Sequence, residues 1–248
     1  MVFEQEISEI AGLAILSFVS GMLGLGVAFA AIPFLGLFMQ DLVHEVQPLA
    51  LLLNGITALF STFGFARSGL VEWRCAVILA VVTTLFAPIG ALIVQFVPQN
   101  IVWIIYFAAV LYLAYRLFRP VKSAGGKENF KLAVILAAPI SMLAGFLGVG
   151  PGFLLLPTLI LLGFEPKKAA GINAFAVTPP SFSALIPHLA TARWNPILDI
   201  ALVAVGAVFA YIGARTTSIY VPSSKLKQAF AVLIIAVTTY KIYTLISK

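Results

Sequence analysis

Apolar residues fill this chain in long runs, and polar or turn-forming residues gather between them. The runs fall near 10–39, 46–66, 75–97, 101–118, 132–163, 169–190, 197–221 and 226–246. Six have lengths suited to one membrane crossing as a helix, which takes about 20 residues. The first and fifth do not. About 30 residues in one helix would measure about 45 Å against a hydrocarbon core of roughly 30 Å, while two full crossings would need about 40 residues. A re-entrant hairpin meets both limits: one half-helix in, a glycine turn, one half-helix back. Such backbone is tolerated at membrane depth only where protein buries it or where it lines a cavity.

The runs come in two sets of four because the chain is written twice. The stretch 21–33 (GMLGLGVAFAAIP) returns 124 positions later as 145–157 (GFLGVGPGFLLLP), and 124 is half of the 248 residues. Six of its thirteen positions are identical, among them Gly21/Gly145, Gly24/Gly148, Gly26/Gly150 and Pro33/Pro157. Val97-Pro98 and Val221-Pro222 share that offset; an offset of 123 pairs 87–91 (APIGA) with 210–214 (AYIGA). The expected fold is an all-α polytopic membrane protein. It has two tandem repeats of about 124 residues, each a glycine-broken re-entrant hairpin plus three transmembrane helices. The expected boundaries are 1–120 for repeat 1, 121–130 for a basic cytoplasmic linker and 131–248 for repeat 2. Glycine interruptions at matching places in two halves are the best sequence pointer to a carrier's binding site.

Composition sharpens this reading. Hydrophobic residues make up 62%, charged residues 10%, and mean hydropathy is +1.09, whereas soluble domains carry about 25% charge. The acidic N-terminus (MVFEQEISEI) lacks the basic start of a secretory signal. The net charge of +6 is read as topology rather than as a nucleic-acid surface. If all eight runs crossed, lysines and arginines would divide ten to five between the two sides; with runs one and five as hairpins they divide twelve to three. The positive-inside rule prefers the second division. It places both termini outside and the linker in the cytoplasm, and it inverts the two repeats so that their glycine tips meet near the midplane.

At each tip a second half-helix begins, with unpaired N–H groups and the positive end of its dipole directed inward. That arrangement suits an anion. The candidate substrate-binding residues are Gly24, Gly26, Gly148, Gly150 and Gly152, which let an ion approach the backbone, together with the polar residues of the next run. There Asn54 and Thr57 share one helix face with Ser61, and the 124 offset matches Asn54 to Thr178 and Thr57 to Ser181. Uncharged donors suit an ion that must be released again. The same glycines and hydroxyls would also serve plain helix packing. Thr178-Pro179-Pro180-Ser181 is expected to break its helix.

All nine acidic residues lie at or near run ends, so no buried carboxylate is expected as a proton relay. Anion export needs none, since a negative-inside potential drives charge outward. His188 is expected to be a structural interfacial histidine. Cys75, the single cysteine, excludes an internal disulfide and a multi-cysteine metal site. No cofactor, metal site or catalytic residue is expected, and two histidines with one cysteine argue against an intramembrane enzyme.

The tandem Gly-x-Leu-Gly-x-Gly-x-x-Phe-x-x-x-Pro stretches resemble the TauE/SafE family of sulfite exporters. So do 169–173 (AAGIN), 69–73 (GLVEW) and the Ile-Gly-Ala elements at Ile89 and Ile212. The resemblance covers nearly the whole chain. It implies a multi-pass carrier of a sulfur-containing anion, sulfite or an organosulfonate, in the cytoplasmic membrane, with the bilayer and that anion as partners and no nucleic acid. Repeat 1 departs from the pattern at Gln47-Pro48-Leu49. A carrier of a different small anion, or a non-transporting scaffold, remains the alternative.

Overall fold

The computed structural model describes residues 2–106, 108, 128–222 and 225. The described residues are helical with no strands. The helices are α1 (Val2–Leu23), α2 (Ala28–Leu35), α3 (Gln47–Ala66), α4 (Trp73–Val94), α5 (Phe130–Leu147), α6 (Gly152–Leu161), α7 (Pro166–Leu185) and α8 (Pro196–Tyr220). One wide turn, Leu42–Val46, leads into α3. Residues 99–106 are helical as well. The run expected near 101–118 lies mostly outside the described residues, the run near 226–246 wholly so, and with them most of the linker 121–130.

Among the described residues six helices are long and apolar enough to cross a membrane, and they include α1 and α5. The first limb of each broken run is the longer one, 22 residues in α1 and 18 in α5, about 33 Å for α1 at 1.5 Å per residue. Only the second limb is short, 8 residues in α2 and 10 in α6. In each case it returns along the first. The Phe34 ring of α2 lies against Gly12 of α1, and Asn129, which caps α5, donates its N–H to Leu162 O at the end of α6 (3.0 Å).

Helices α3 and α7 cross at the centre and are the most enclosed of the six, 67% and 72% buried against 33–39% for the others. Around them α1 packs on α8, α5 on α4, α4 on α7 and α8 on α3. Each pairing joins the two halves, so neither half closes a core alone. Glycine sets the closest crossings: a Cβ on Gly21 would strike the Ala210 backbone, and one on Gly145 the Ala87 backbone. Gly213 and Gly90 face Phe18 and Met142 in the same way. Small residues let membrane helices approach this closely where lipid offers no hydrophobic drive between them. The outward faces of α4, α5 and α8 carry exposed Leu85, Ile135 and Ile200, as lipid contact requires.

Prolines inside these helices leave carbonyls without their i+4 donor, and for Pro33, Pro88 and Pro180 a hydroxyl from another helix supplies it. Tyr106 Oη donates to Phe29 O opposite Pro33 (2.6 Å), Ser183 Oγ to Thr84 O opposite Pro88 (3.0 Å), and Thr83 Oγ1 to Ala176 O opposite Pro180 (3.0 Å). This corrects the expectation that Thr178-Pro179-Pro180-Ser181 breaks its helix: α7 runs through both prolines.

Charges collect at two opposite ends. At one, Lys168 pairs with Glu72 and Glu128, Lys167 Nζ reaches Ser218 O, Arg67 donates to Tyr211 Oη and Arg215 to Ser68 Oγ. The other end holds Glu9, Asp41, Glu45, Arg193 and Asp199 around a cavity of about 540 Å³. Glu9 and Asp199, at 2% and 6% exposure, are buried. That overturns the expectation of no buried carboxylate, because the end of a helix is not always the surface of the fold.

Candidate functional site

The chain reverses twice through a tip of the same construction. Gly24 N–H bonds to Gly21 O and Leu25 N–H to Ser20 O (both 3.1 Å). In the second half Gly148 N–H bonds to Gly145 O (3.2 Å) and Val149 N–H to Ala144 O (3.1 Å). This paired cap needs a left-handed residue after the helix, which Gly24 (φ +62°) and Gly148 (φ +71°) provide. A second left-handed glycine follows two residues on, Gly26 (φ +70°) and Gly150 (φ +69°). The rings of Phe29 and Phe153 stack between the halves, centroids 5.4 Å apart and nearly parallel at 13°.

The side chains that meet the tips come from α3 and α7. At the first tip Val27 N–H donates to Thr57 Oγ1 (3.1 Å) and Ala28 N–H to Asn54 Oδ1 (2.9 Å). Asn54 Nδ2 then donates to Ser181 Oγ (2.8 Å). These donors were expected to stand open toward an anion; the structure fills them with protein acceptors instead. An amide and a hydroxyl one turn apart on α3 cap them.

The second tip lacks that cap. Pro151 occupies the place of Val27 and has no N–H. Thr178 occupies the place of Asn54 but donates to its own helix at Ala174 O (3.0 Å), and Ser181 donates to Val177 O (2.7 Å). Among the described residues no protein acceptor meets the N–H of Gly152 or of Phe153. These groups open α6 and carry the positive end of its dipole.

Three buried amides line the second tip, one against each glycine. A Cβ on Gly148 would meet Gln47 Cγ at 2.6 Å, one on Gly150 would strike Asn54 Nδ2, and one on Gly152 would come within 3.0 Å of Asn173 Nδ2. All three amides have no exposed surface. Asn173 Nδ2 donates to Gly24 O (2.7 Å), and Gln47 Nε2 reaches Phe146 O (3.4 Å). Among the described residues no protein donor meets Asn173 Oδ1 or Gln47 Oε1. Of the sequence candidates, Gly26, Gly150, Asn54, Thr57 and Ser181 come together directly. Gly24 and Gly152 join through Asn173, Gly148 faces Gln47, and Thr178 turns to its own backbone. Gln47 and Asn173 were missed as site residues. The signal for both was an uncharged amide inside an apolar span, with Gln47 seven residues before Asn54 and so on its face of α3.

Titratable groups lie at the ends of the fold. Burial alone would raise Asp41, but hydrogen bonds from the His44 backbone and ring and from the Val43 N–H hold it below the usual carboxylate range. The Lys168 ammonium, with the Cys75 thiol, holds Glu72 low at the opposite end. His188 is fully buried, its Nδ1 3.1 Å from Val43 O and 2.9 Å from Gln95 Nε2, a structural position. Among the described residues no cluster of His, Cys, Asp and Glu could hold a metal.

A neutral, glycine-bracketed centre thus lies inside an apolar bundle. The sequence profile described as "Sulfite exporter TauE/SafE" matches residues 10–240. The chain belongs to the TauE/SafE family. Among curated relatives it is 22% identical over 225 residues to "Probable membrane transporter protein YdhB" of Bacillus subtilis, covering 87% of this chain and 91% of that protein. It is 24% identical to a "Probable membrane transporter protein" of Haemophilus influenzae (90% and 93% covered) and 26% identical to one of Xylella fastidiosa (98% and 97%). No solved structure matches it. This TauE/SafE member is thus a multi-pass protein of a membrane transporter family.

Proposed function

We propose that this chain exports a small sulfur-containing anion, sulfite or an organosulfonate, across the cytoplasmic membrane. The observation that carries the reading is the second tip. Two backbone N–H groups without protein acceptors open a helix beside three buried amides, with no charged side chain among the contacts of the tip. Such donors hold an oxyanion electrostatically yet weakly enough to release it.

On this reading the two halves are inverted repeats, α1–α2 and α5–α6 are re-entrant hairpins, and both tips lie near the midplane. The return of α2 along α1 and of α6 along α5 supports this. So does the gathering of Arg67, Arg74, Lys131, Lys167, Lys168 and Arg215 around one end, which becomes the cytoplasmic face. Eight full crossings would separate Lys168 from Glu72, and the structure pairs them.

The test is flux by the purified chain in liposomes against sulfite, sulfate, organosulfonates and short carboxylates. Uptake of the sulfur anions in preference to carboxylates is the expected result; no flux of any of them returns the chain to the scaffold alternative.

A further inference from the structure

The second tip offers acceptors as well as donors. Asn173 Nδ2 is held by Gly24 O, which can only accept, so the amide is oriented with Oδ1 as its free end. That oxygen sits on a side chain with no exposed surface, packed against Gly152, the residue that opens α6. Gln47 repeats the arrangement against Gly148, its Oε1 likewise without a protein donor. Asn54, between them, is satisfied: Oδ1 takes Ala28 N–H and Nδ2 gives to Ser181.

A fully deprotonated oxyanion at this tip would fill the Gly152 and Phe153 N–H groups and leave both amide oxygens empty. An anion that keeps one hydrogen on oxygen fills both kinds of group. We propose that Asn173 Oδ1 accepts a hydrogen bond from the substrate itself, so that the species carried is a hydrogen-bearing monoanion, such as hydrogensulfite or a hydroxyl-bearing sulfonate, and not a dianion. The proposal rests on the carrier reading above and adds to it the protonation state and a specificity-determining residue. A site with a buried group waiting for a substrate hydroxyl rejects the analogue without one, by up to about 10⁴-fold or more in well-built cases. Here, with a small ion and one principal contact, at least about tenfold is expected.

The experiment gives liposomes holding the full chain two monoanions that differ in one hydroxyl donor, ethanesulfonate and 2-hydroxyethanesulfonate. Separately, they receive sulfite over a pH series spanning the ionisation of hydrogensulfite. The hydroxyl-bearing sulfonate should move at least about tenfold faster, and sulfite flux should fall with the hydrogensulfite fraction as pH rises. Asn173→Leu should remove the preference between the sulfonates while some flux of ethanesulfonate persists. If that variant does not reach the membrane, Asn173→Ala takes its place, and the comparison on the unaltered chain needs no variant. Equal flux of the two sulfonates overturns the proposal and leaves the carrier reading standing; no flux of either sulfonate or of sulfite overturns the carrier reading first. A preference that survives loss of the amide removes Asn173 from it. Flux that requires sodium and ignores the hydroxyl gives the amide oxygens to a cation and also overturns it.

Discussion

The two tips share a backbone and part company in what meets it. Both end a long helix with the same pair of hydrogen bonds and the same two left-handed glycines. At the first, Asn54 and Thr57 close off the donors that open α2. At the second, a proline removes one donor, a threonine turns away, and the two N–H groups that follow face no protein acceptor. The same backbone geometry therefore occurs twice and the same side-chain chemistry once. One tip is an internal fixture of the fold, and on the proposed reading the other is left for a ligand.

Gly150→Leu tests both tips together, because Asn54 stands against Gly26 and Gly150 alike. A side chain at φ +69° costs about 1–2 kcal/mol. Displacing Asn54 leaves Ala28 N–H and Ser181 without their partner, about 1–3 kcal/mol more. Folded protein recovered in detergent and flux in liposomes should both collapse. Full flux from this variant would take the second tip out of the site.

The asymmetry itself is read by Asn54→Leu against Thr178→Val. The first strips two buried bonds between elements and should lower stability by about 2–4 kcal/mol. The second removes a hydroxyl that bonds only its own helix and should cost about 0.5 kcal/mol or less. Thermal unfolding of the two variants in the same detergent decides it, and equal losses would break the comparison.

Among the described residues no charged side chain meets either tip, so on the proposed reading the charge that moves is uncompensated. A potential of 100 mV should then drive about a fifty-fold accumulation on the positive side, equivalent to about 2.3 kcal/mol, with no pH gradient. Glu9→Gln and Asp199→Asn should keep that response. Abolition of transport by either variant, or a strict requirement for a pH gradient, would give the buried outer acids the role of proton carriers.

The smallest effect contrasts the capping acids that open the central helices, Asp41 before α3 and Glu165 before α7. Asp41 is held below its ordinary range, so its contribution is present above its unfolded value near 4. It is lost as pH falls through the folded value. Asp41→Asn should therefore flatten the fall in apparent Tm on acidification below about pH 4, with a loss of about 1 kcal/mol or less at neutral pH. Unaltered acid sensitivity would mean that Asp41 is not the group responsible.

Helix positions among the described residues, the interruptions at 24–27 and 148–151 and the glycines at those breaks were legible because each is a local property. Turn conformation, apolar run length and repeat register are all written in neighbouring residues. The proline segment 178–181 misled for a reason outside its own span: the carbonyl freed by Pro180 is met by Thr83 from another helix. Glu9 and Asp199 misled likewise, since a position near the end of a run says nothing of what packs over it.

By itself the sequence determined that this is a helical membrane protein with matching glycine motifs 124 residues apart and neutral polar groups near them. Only the tertiary structure decided which of those groups are spent. Asn54 and Asn173 look alike as letters, yet one is saturated by Ala28 and Ser181 while the other keeps an oxygen without a protein donor. Whether a buried polar group is satisfied depends on partners on other helices, 26 to 149 residues away, and no local pattern records that.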